Sequence, residues 1–299
     1  MKNRCCPVCG ASSEKSKVFL KRIFNESSLS GYSFSSRKSP EFMTYGLIKC
    51  DICHLVYVNN PPSEHELSKS YHDAMYDSAE EALDAAMSYI SAIMPALSLL
   101  TRKESVLEIG TGSGVFLDLL SKFGFKEFHG VEPSPAAVAA APPEIQSLIH
   151  IGMFNESLYN AASFDLICCF MTMEHVSDPG ELSKSAFRLL RPGGAFVVIV
   201  HDYEAFINKI LGRYSPIIDI EHMQIFSCDS LRYMFEVSGF KDYAVNSFSN
   251  QYSMKYWLRL MPVPGFFKSF LYYVLKITGL SGVKIKLNVG NLIAFGFKP

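Results

Sequence analysis

Net charge is the first thing this sequence lacks. Twenty-eight Lys and Arg face 29 Asp and Glu, a balance of -1 over 299 residues, whereas a dedicated nucleic-acid binder carries a clear basic excess. Long apolar runs are missing too: no uninterrupted stretch reaches the ~18–20 residues of a membrane-crossing helix. No export signal is visible, because residues 1–10 are polar and cysteine-rich where an apolar stretch would sit. The expectation is a soluble, cytoplasmic protein with no nucleic-acid partner. Composition excludes disorder, since 48% hydrophobic residues against 19% charged are ample material for a core.

The charge that is present is unevenly spread. Residues 1–60 carry nine basic and four acidic residues (+5), residues 61–254 twelve and 25 (-13), and residues 255–299 seven and none (+7). The acid-free end is strongly apolar and holds the single tryptophan, Trp257. Such a segment points to a phosphate-bearing partner or a membrane surface.

Five of the eight cysteines fall within the first 53 residues. Cys6-Pro7-Val8-Cys9-Gly10 and Cys50-Asp51-Ile52-Cys53 are two CxxC turns, and together their thiolates can fill the four positions of one tetrahedral metal. Pro7 stiffens the first turn and Gly10 lets the chain fold back. Four protein ligands leave no open position, so the metal would be a structural zinc held by Cys6, Cys9, Cys50 and Cys53. Cys5 is the substitute for Cys6 that the CPxCG spacing disfavours, and disulfides suit a reducing compartment poorly. Residues 27–31 and 33–39 read as loops, residues 47–49 and 55–58 as short strands. Asn59-Asn60-Pro61-Pro62 closes the module. The expected organisation is a zinc ribbon over 1–60, linker helices over 61–100 and a larger domain over 101–299.

Residues 80–100 have a helical pattern with a break near Pro95. An apolar strand at 105–109, the turn Gly110-Thr111-Gly112-Ser113-Gly114 and a helix at 115–120 come next. Glycines let a ligand approach the backbone, and the helix N-terminus offers N–H groups. The spacing is E-x-G-x-G-x-G, beginning at Glu108, and not the GxGxxG of dinucleotide sites. A second strand ends in Val131-Glu132-Pro133, where a carboxylate can accept both hydrogen bonds of a ribose diol. A third strand at 147–151 leads into Gly152-Met153-Phe154-Asn155. A fourth, at 164–170, contains Cys168 and Cys169 as buried small residues and runs into Met173-Glu174-His175-Val176. An amphipathic helix, Arg191-Pro192-Gly193-Gly194 and a fifth strand at 195–200 follow. Nearly all-apolar strands alternating with helices predict a parallel sheet covered on both faces.

LEIGTGSG, GVEPS, FDLICC, MEHV-DP and RLLRPGG, in this order over residues 85–245, resemble the class I S-adenosylmethionine-dependent methyltransferases. The resemblance implies a Rossmann-like, mostly parallel α/β sheet with S-adenosylmethionine as cofactor. Glu108, Gly110, Thr111, Gly112 and Gly114 would hold its methionine end, Glu132 its ribose, and Met153 with Phe154 its adenine. The adenine turn departs from the family by lacking an Asp. The front half resembles methyltransferases with a CxxC…CxxC ribbon, some acting on nucleotide-linked sugars; there, tyrosines on the intervening helix close over the cofactor, a role that falls here to Tyr71 and Tyr76.

Methyl transfer needs alignment and, for a poor nucleophile, a base. The candidates at strand ends are Glu174, His175, His201, Asp202 and Tyr203, with Glu221 and His222 in a later loop. In the ribbon-bearing sugar C-methyltransferases an E-H pair followed by x-x-[YF]-S, with a histidine after the fourth strand, is implicated in catalysis. Glu221-His222-Met223-Gln224-Ile225-Phe226-Ser227 and His175 match these positions. Asp219 stands where that family has tyrosine, and its long C-terminal domain is absent. Strands at 243–248 and 290–297 bracket an insertion of about 250–288, read as a helical lid. Lys268, Tyr272 and Lys276 share one face of its main helix, which makes a peripheral membrane contact through residues 255–286 the second reading.

The expected protein is thus a methyltransferase acting on a small oxygen-rich acceptor, first of all a nucleotide- or polyprenyl-linked sugar. A natural-product or quinone-like acceptor is the runner-up, and a non-catalytic cofactor-binding module the reading from another class.

Overall fold

A computed structural model describes residues 3–36 and 39–299. Arg37 and Lys38, within the loop predicted at 33–39, lie outside the described residues.

Behind the cysteine turns, β1 (Ser16–Leu20), β2 (Leu47–Cys50) and β3 (Val56–Val58) form an antiparallel meander. Helices α1 (Glu64–His72) and α2 (Ala79–Leu99) follow. Strands and helices then alternate through β4 (Ser105–Ile109), α3 (Val115–Leu120), β5 (Glu127–Glu132), α4 (Pro135–Ala139), α5 (Pro143–Gln146), β6 (Ile149–Ile151), β7 (Phe164–Phe170), α6 (Pro179–Leu189) and β8 (Leu190–His201). The remainder comprises α7 (Phe206–Leu211), β9 (Gln224–Ile225), α8 (Cys228–Val237), β10 (Lys241–Ser253), α9 (Met254–Leu260), α10 (Gly265–Ile277) and β11 (Lys284–Phe297).

The main sheet has the order β10-β11-β8-β7-β4-β5-β6. The run from β8 to β6 is parallel, and β11 and β10 extend it antiparallel. Every residue of β7 is buried, as a strand covered on both faces requires. Successive side chains go to opposite faces: Ile167, Cys169 and Val198 join one core, Leu166, Cys168 and Val197 the other. Both cysteines fill these layers as small hydrophobes.

The helix expected to break near Pro95 is continuous over Ala79–Leu99. Proline removes one helical hydrogen bond and crowds the preceding turn, but Ile93, Ala96 and Leu97 are buried around it and hold the helix on the sheet. By length and composition alone α2 could cross a membrane; here it packs on α3 and β10.

β9 has no counterpart in the sequence reading. It completes the small sheet by pairing with β3, Val56 opposite Ile225 and Tyr57 opposite Gln224. The chain directly after Glu221 and His222 is therefore the fourth strand of the cysteine-bearing sheet. The first cysteine turn also docks on α6: Gly180 N–H donates to the Pro7 carbonyl at 3.1 Å. A Cβ at Gly180 would lie 2.5 Å from that oxygen, so only glycine permits the approach.

The final strand, predicted from residue 290, begins at Lys284 and pairs with β10 as far as Ser253. Lys284-Ile285-Lys286-Leu287 has the period-two pattern of a strand, and this overhang carries α9 and α10 at its tip. Tyr71 lies on α1, whereas Tyr76, expected on the same helix, sits in the loop before α2.

Candidate active site

β4 delivers the glycine turn at its C-terminal end, where an open α/β sheet offers its ligand crevice. Gly110 has φ +78°, and a Cβ there would come within 2.1 Å of Thr172 Oγ1. No larger residue fits. Gly112 N–H donates to Glu132 Oε2 and Ser134 N–H to Glu132 Oε1, both at 2.9 Å. The two bonds pin the carboxylate at the tip of β5, and a carboxylate oxygen has room for more than one donor. Glu108, buried in β4, accepts a hydrogen bond from the Thr111 hydroxyl. Tyr76 donates to Ser113 Oγ at 3.1 Å, drawing its loop over the turn. Gly152 N–H donates to the Glu132 carbonyl at 3.0 Å and brings Met153 and Phe154 alongside.

One cavity of about 270 Å³ is lined by these residues, Gly152 excepted, and by His175, His201, Glu221 and His222, but not by Gly114. Gly114 caps α3 with φ +68° and faces Ile145 instead. Three imidazoles gather from separate elements: the loop after β7, the end of β8 and the loop before β9. The His222 ring centre is 4.9 Å from that of His175 and 5.2 Å from that of His201. His222 Nδ1 lies 2.8 Å from the Ile217 carbonyl, an acceptor only, so Nδ1 carries the proton and Nε2 is the basic nitrogen. His175 Nδ1 is 3.1 Å from the Tyr71 hydroxyl, 3.2 Å from the Glu221 carbonyl and 3.9 Å from Glu221 Oε2. Tyr71 thus lines the same cavity but engages the histidine cluster. His201 Nδ1 meets Asn291 Oδ1 at 2.8 Å, and burial lowers its pKa and favours the neutral ring.

Glu174, beside His175, is fully buried. Its Oε1 accepts from His201 N–H at 2.6 Å, while Oε2 has no hydrogen-bond partner among the described residues. Desolvation pushes this carboxyl up to about 8, so it is largely protonated at neutral pH. Asp202 and Tyr203 belong to other contacts, Tyr203 donating to the His54 carbonyl at 2.7 Å. Asp219 accepts from Glu41 N–H at 3.0 Å and Ile220 N–H at 2.7 Å.

Three residues that hold this arrangement were not singled out by the sequence reading. Gln224 Nε2 donates to the carbonyls of Met173 at 2.6 Å and Val176 at 2.8 Å, tying the His175 loop to β9. Arg4 donates to the carbonyls of Val58, Ser177 and Met223 at 2.8, 2.9 and 2.9 Å. Asn291 orients His201. A polar Gln between Met223 and Ile225, and a polar Asn opening an apolar strand, are the signals that could have marked two of them.

The four sulfurs of Cys6, Cys9, Cys50 and Cys53 lie within 4.8 Å of one another, with Cys6–Cys53 at 3.4 Å and Cys9–Cys50 at 3.5 Å. Cys5 is exposed and outside the group. The two turns match: the residue after each second cysteine has positive φ, Gly10 at +72° and His54 at +62°, and its N–H returns to the carbonyl of Cys6 or Cys50. At sulfur–metal distances of about 2.3 Å, this set suits a tetrahedral ion such as zinc.

A family model described as a methyltransferase domain matches residues 79–245. The ubiquinone biosynthesis O-methyltransferase of Coxiella burnetii (strain RSA 493 / Nine Mile phase I) is 30% identical over 114 residues, covering 36% of this chain and 48% of that protein. The chain therefore spans about half the length of the curated relatives it matches. Among solved structures, the YcgJ protein of Bacillus subtilis superposes with a TM-score of 0.50 at 17% identity, over 70% of this chain and 98% of that one. The Haemonchus contortus phosphoethanolamine N-methyltransferase 2, solved with S-adenosyl-L-methionine, gives 0.50 at 15% identity, over 82% and 62%. Both are similar in fold.

Proposed function

This chain belongs to the class I S-adenosylmethionine-dependent methyltransferases, and on that premise we propose that it methylates a small oxygen-rich acceptor, a sugar carried on a nucleotide or polyprenyl phosphate. The observation that carries the reading is the shared cavity, in which the glycine turn and Glu132 meet three imidazoles, Glu221 and Asn291. Such a wall offers donors and acceptors together, which suits a polyhydroxylated acceptor.

S-Adenosylmethionine, when bound, supplies an electrophilic methyl group on sulfur. Glu108, Gly110, Thr111 and Gly112 are assigned to its methionine end, with Gly114 shaping the turn from outside the cavity, Glu132 to the ribose hydroxyls, and Met153 and Phe154 to the adenine. Tyr76 closes the turn from outside. On the acceptor side, His222 Nε2 takes the proton of the attacking hydroxyl. The Ile217 carbonyl keeps the ring aimed throughout, since Nδ1–H bonds to it in both the neutral and the charged form. Glu221 and His175 stabilise the positive charge that then develops. A placed base contributes about 10²–10⁴-fold in rate, and alignment in the cavity the remainder. Tyr71 fixes His175 and the Glu221 backbone in one geometry.

A quinone-like acceptor is the second reading. Tyr252, Tyr256, Trp257 and Leu260 give the same cavity an aromatic and apolar wall on which a planar ring could stack. We also assign one structural zinc to Cys6, Cys9, Cys50 and Cys53, in a reducing cytoplasm that keeps the thiols available. It would hold the sheet whose fourth strand follows His222. Elemental analysis should find one zinc per chain; a metal-free chain with four reactive thiols and an unchanged fold would remove that assignment.

The test follows labelled methyl from S-adenosylmethionine into a cell extract, with products split between aqueous and organic phases. Label in water-soluble sugar nucleotides, or in a lipid fraction that releases a methylated sugar on mild acid hydrolysis, supports the first reading. Label in an acid-stable aromatic lipid supports the second. No enzyme-dependent label, with cofactor binding intact, overturns both.

A further inference from the structure

Helix α10 has no buried residue, although it is among the most apolar segments of the chain. Phe266, Phe270, Tyr273 and Ile277 recur at the spacing of one helical face. They are 80%, 57%, 62% and 64% exposed. The half-buried positions Lys268, Leu271, Tyr272 and Leu275 share the other side, where Lys268 Nζ donates to the Arg259 carbonyl at 2.9 Å and α10 packs on α9. The helix thus rests on the protein by one half-buried face and turns an aromatic face outward. Leu280, Val283, Ile285 and Leu287 extend the exposed apolar surface along the overhang of β11.

The segment's own charge is of one sign: residues 255–299 hold seven basic and no acidic side chains. Arg259 pairs with Asp77 and Glu81, and Lys284 with Asp84, while Lys255, Lys276 and Lys286 are exposed. A second copy of the chain covering this face would bring two such fields together, and like charges oppose that association. An anionic bilayer satisfies both features: phosphates accept the lysines while the aromatic stripe enters the interface between headgroups and acyl chains.

We infer that the outward face of α10, with the β11 overhang, docks this protein on anionic lipid bilayers as a peripheral membrane protein. The platform is connected to the active site. Trp257 Nε1 donates to the Ile285 carbonyl at 2.9 Å, and α9, four residues before α10, supplies Tyr256, Trp257 and Leu260 to the cavity wall. Docking therefore sets the acceptor end of the cavity close to the bilayer. The inference stands apart from the acceptor's identity, since a docked enzyme can methylate a soluble or a lipid-linked molecule.

The test is co-sedimentation of the full chain with large unilamellar vesicles of phosphatidylcholine containing phosphatidylglycerol, against phosphatidylcholine alone. The protein should pellet with the anionic vesicles and lose that binding as salt rises. A Phe266→Asp/Phe270→Asp variant should partition more than about tenfold more weakly, given the apolar area it withdraws. A Lys276→Glu/Lys286→Glu variant should fall to the level seen with phosphatidylcholine alone. Both variants should bind S-adenosylmethionine as the parent does, because these side chains lie outside the cavity. Failure of the parent to pellet, or pelleting of both variants as complete as the parent's, overturns the inference. So does concentration-dependent self-association that the aspartate variant abolishes without any vesicle binding, which would make a second copy the occupant.

Discussion

In the proposed mechanism, His222, His175 and Glu174 divide the acceptor side between a base, its neighbour and a buried neutral acid. The His222→Ala variant should lose about 10²–10⁴-fold in turnover while S-adenosylmethionine affinity stays nearly unchanged, measured by methyl transfer and by cofactor titration on the same preparation. Glu174 adds a pH signature. Its carboxyl titrates at about 8 in the fold against ~4.3 in an unfolded chain, so the folded state holds the extra proton between those values. Its contribution is full below pH ~4.3 and is lost as pH rises towards 8, with a slope of up to about 1.4 kcal/mol per pH unit. Denaturant titrations of Glu174→Gln should show that slope removed; an unchanged pH profile would contradict the burial argument. Glu108, Glu132, Gly110 and Gly112 were legible as cavity residues because their motif is local, whereas Gly114 of the same motif turns away. The bond from His201 to Asn291 was not, because it joins positions 90 residues apart that only the antiparallel β11 brings together.

At the scale of elements, β9 is the surprise and the explanation. A two-residue strand carries no periodicity to read, yet its place beside β3 makes the cysteine sheet a support for the loop that bears Glu221 and His222. Arg4 and Gln224 stitch that loop to the one bearing His175. An Arg4→Met variant removes a charged donor from three carbonyls, of which that of Met223 keeps the Val58 N–H. It should lower stability by roughly 3 kcal/mol and turnover with it, while cofactor affinity is retained, since none of those carbonyls belongs to the glycine turn. Thermal denaturation paired with cofactor titration reads both. The break expected at Pro95 failed for a related reason: propensity is local, and the packed positions on both sides of the proline outweigh it.

For the whole molecule, the glycine turn and Glu132 come from the parallel sheet, while the proposed base, His222, sits on a loop anchored in the cysteine sheet, and all of them line one cavity. The parallel sheet was legible from its apolar strands and motifs. The joining of the two sheets was not, because it rests on contacts between distant residues. Chelation of the proposed zinc should therefore depress turnover before it depresses S-adenosylmethionine binding, followed by parallel activity and binding curves against chelator; simultaneous loss would mean that the glycine turn itself depends on the cysteine sheet.

The most direct measurement of the central claim is calorimetric titration of S-adenosylmethionine into the parent chain and into Glu132→Ala. Loss of hydrogen bonds from a ribose diol to a carboxylate should weaken binding by about 10–100-fold, with His222→Ala binding like the parent. Equal affinity of Glu132→Ala and the parent would contradict the assignment of this cavity to the cofactor.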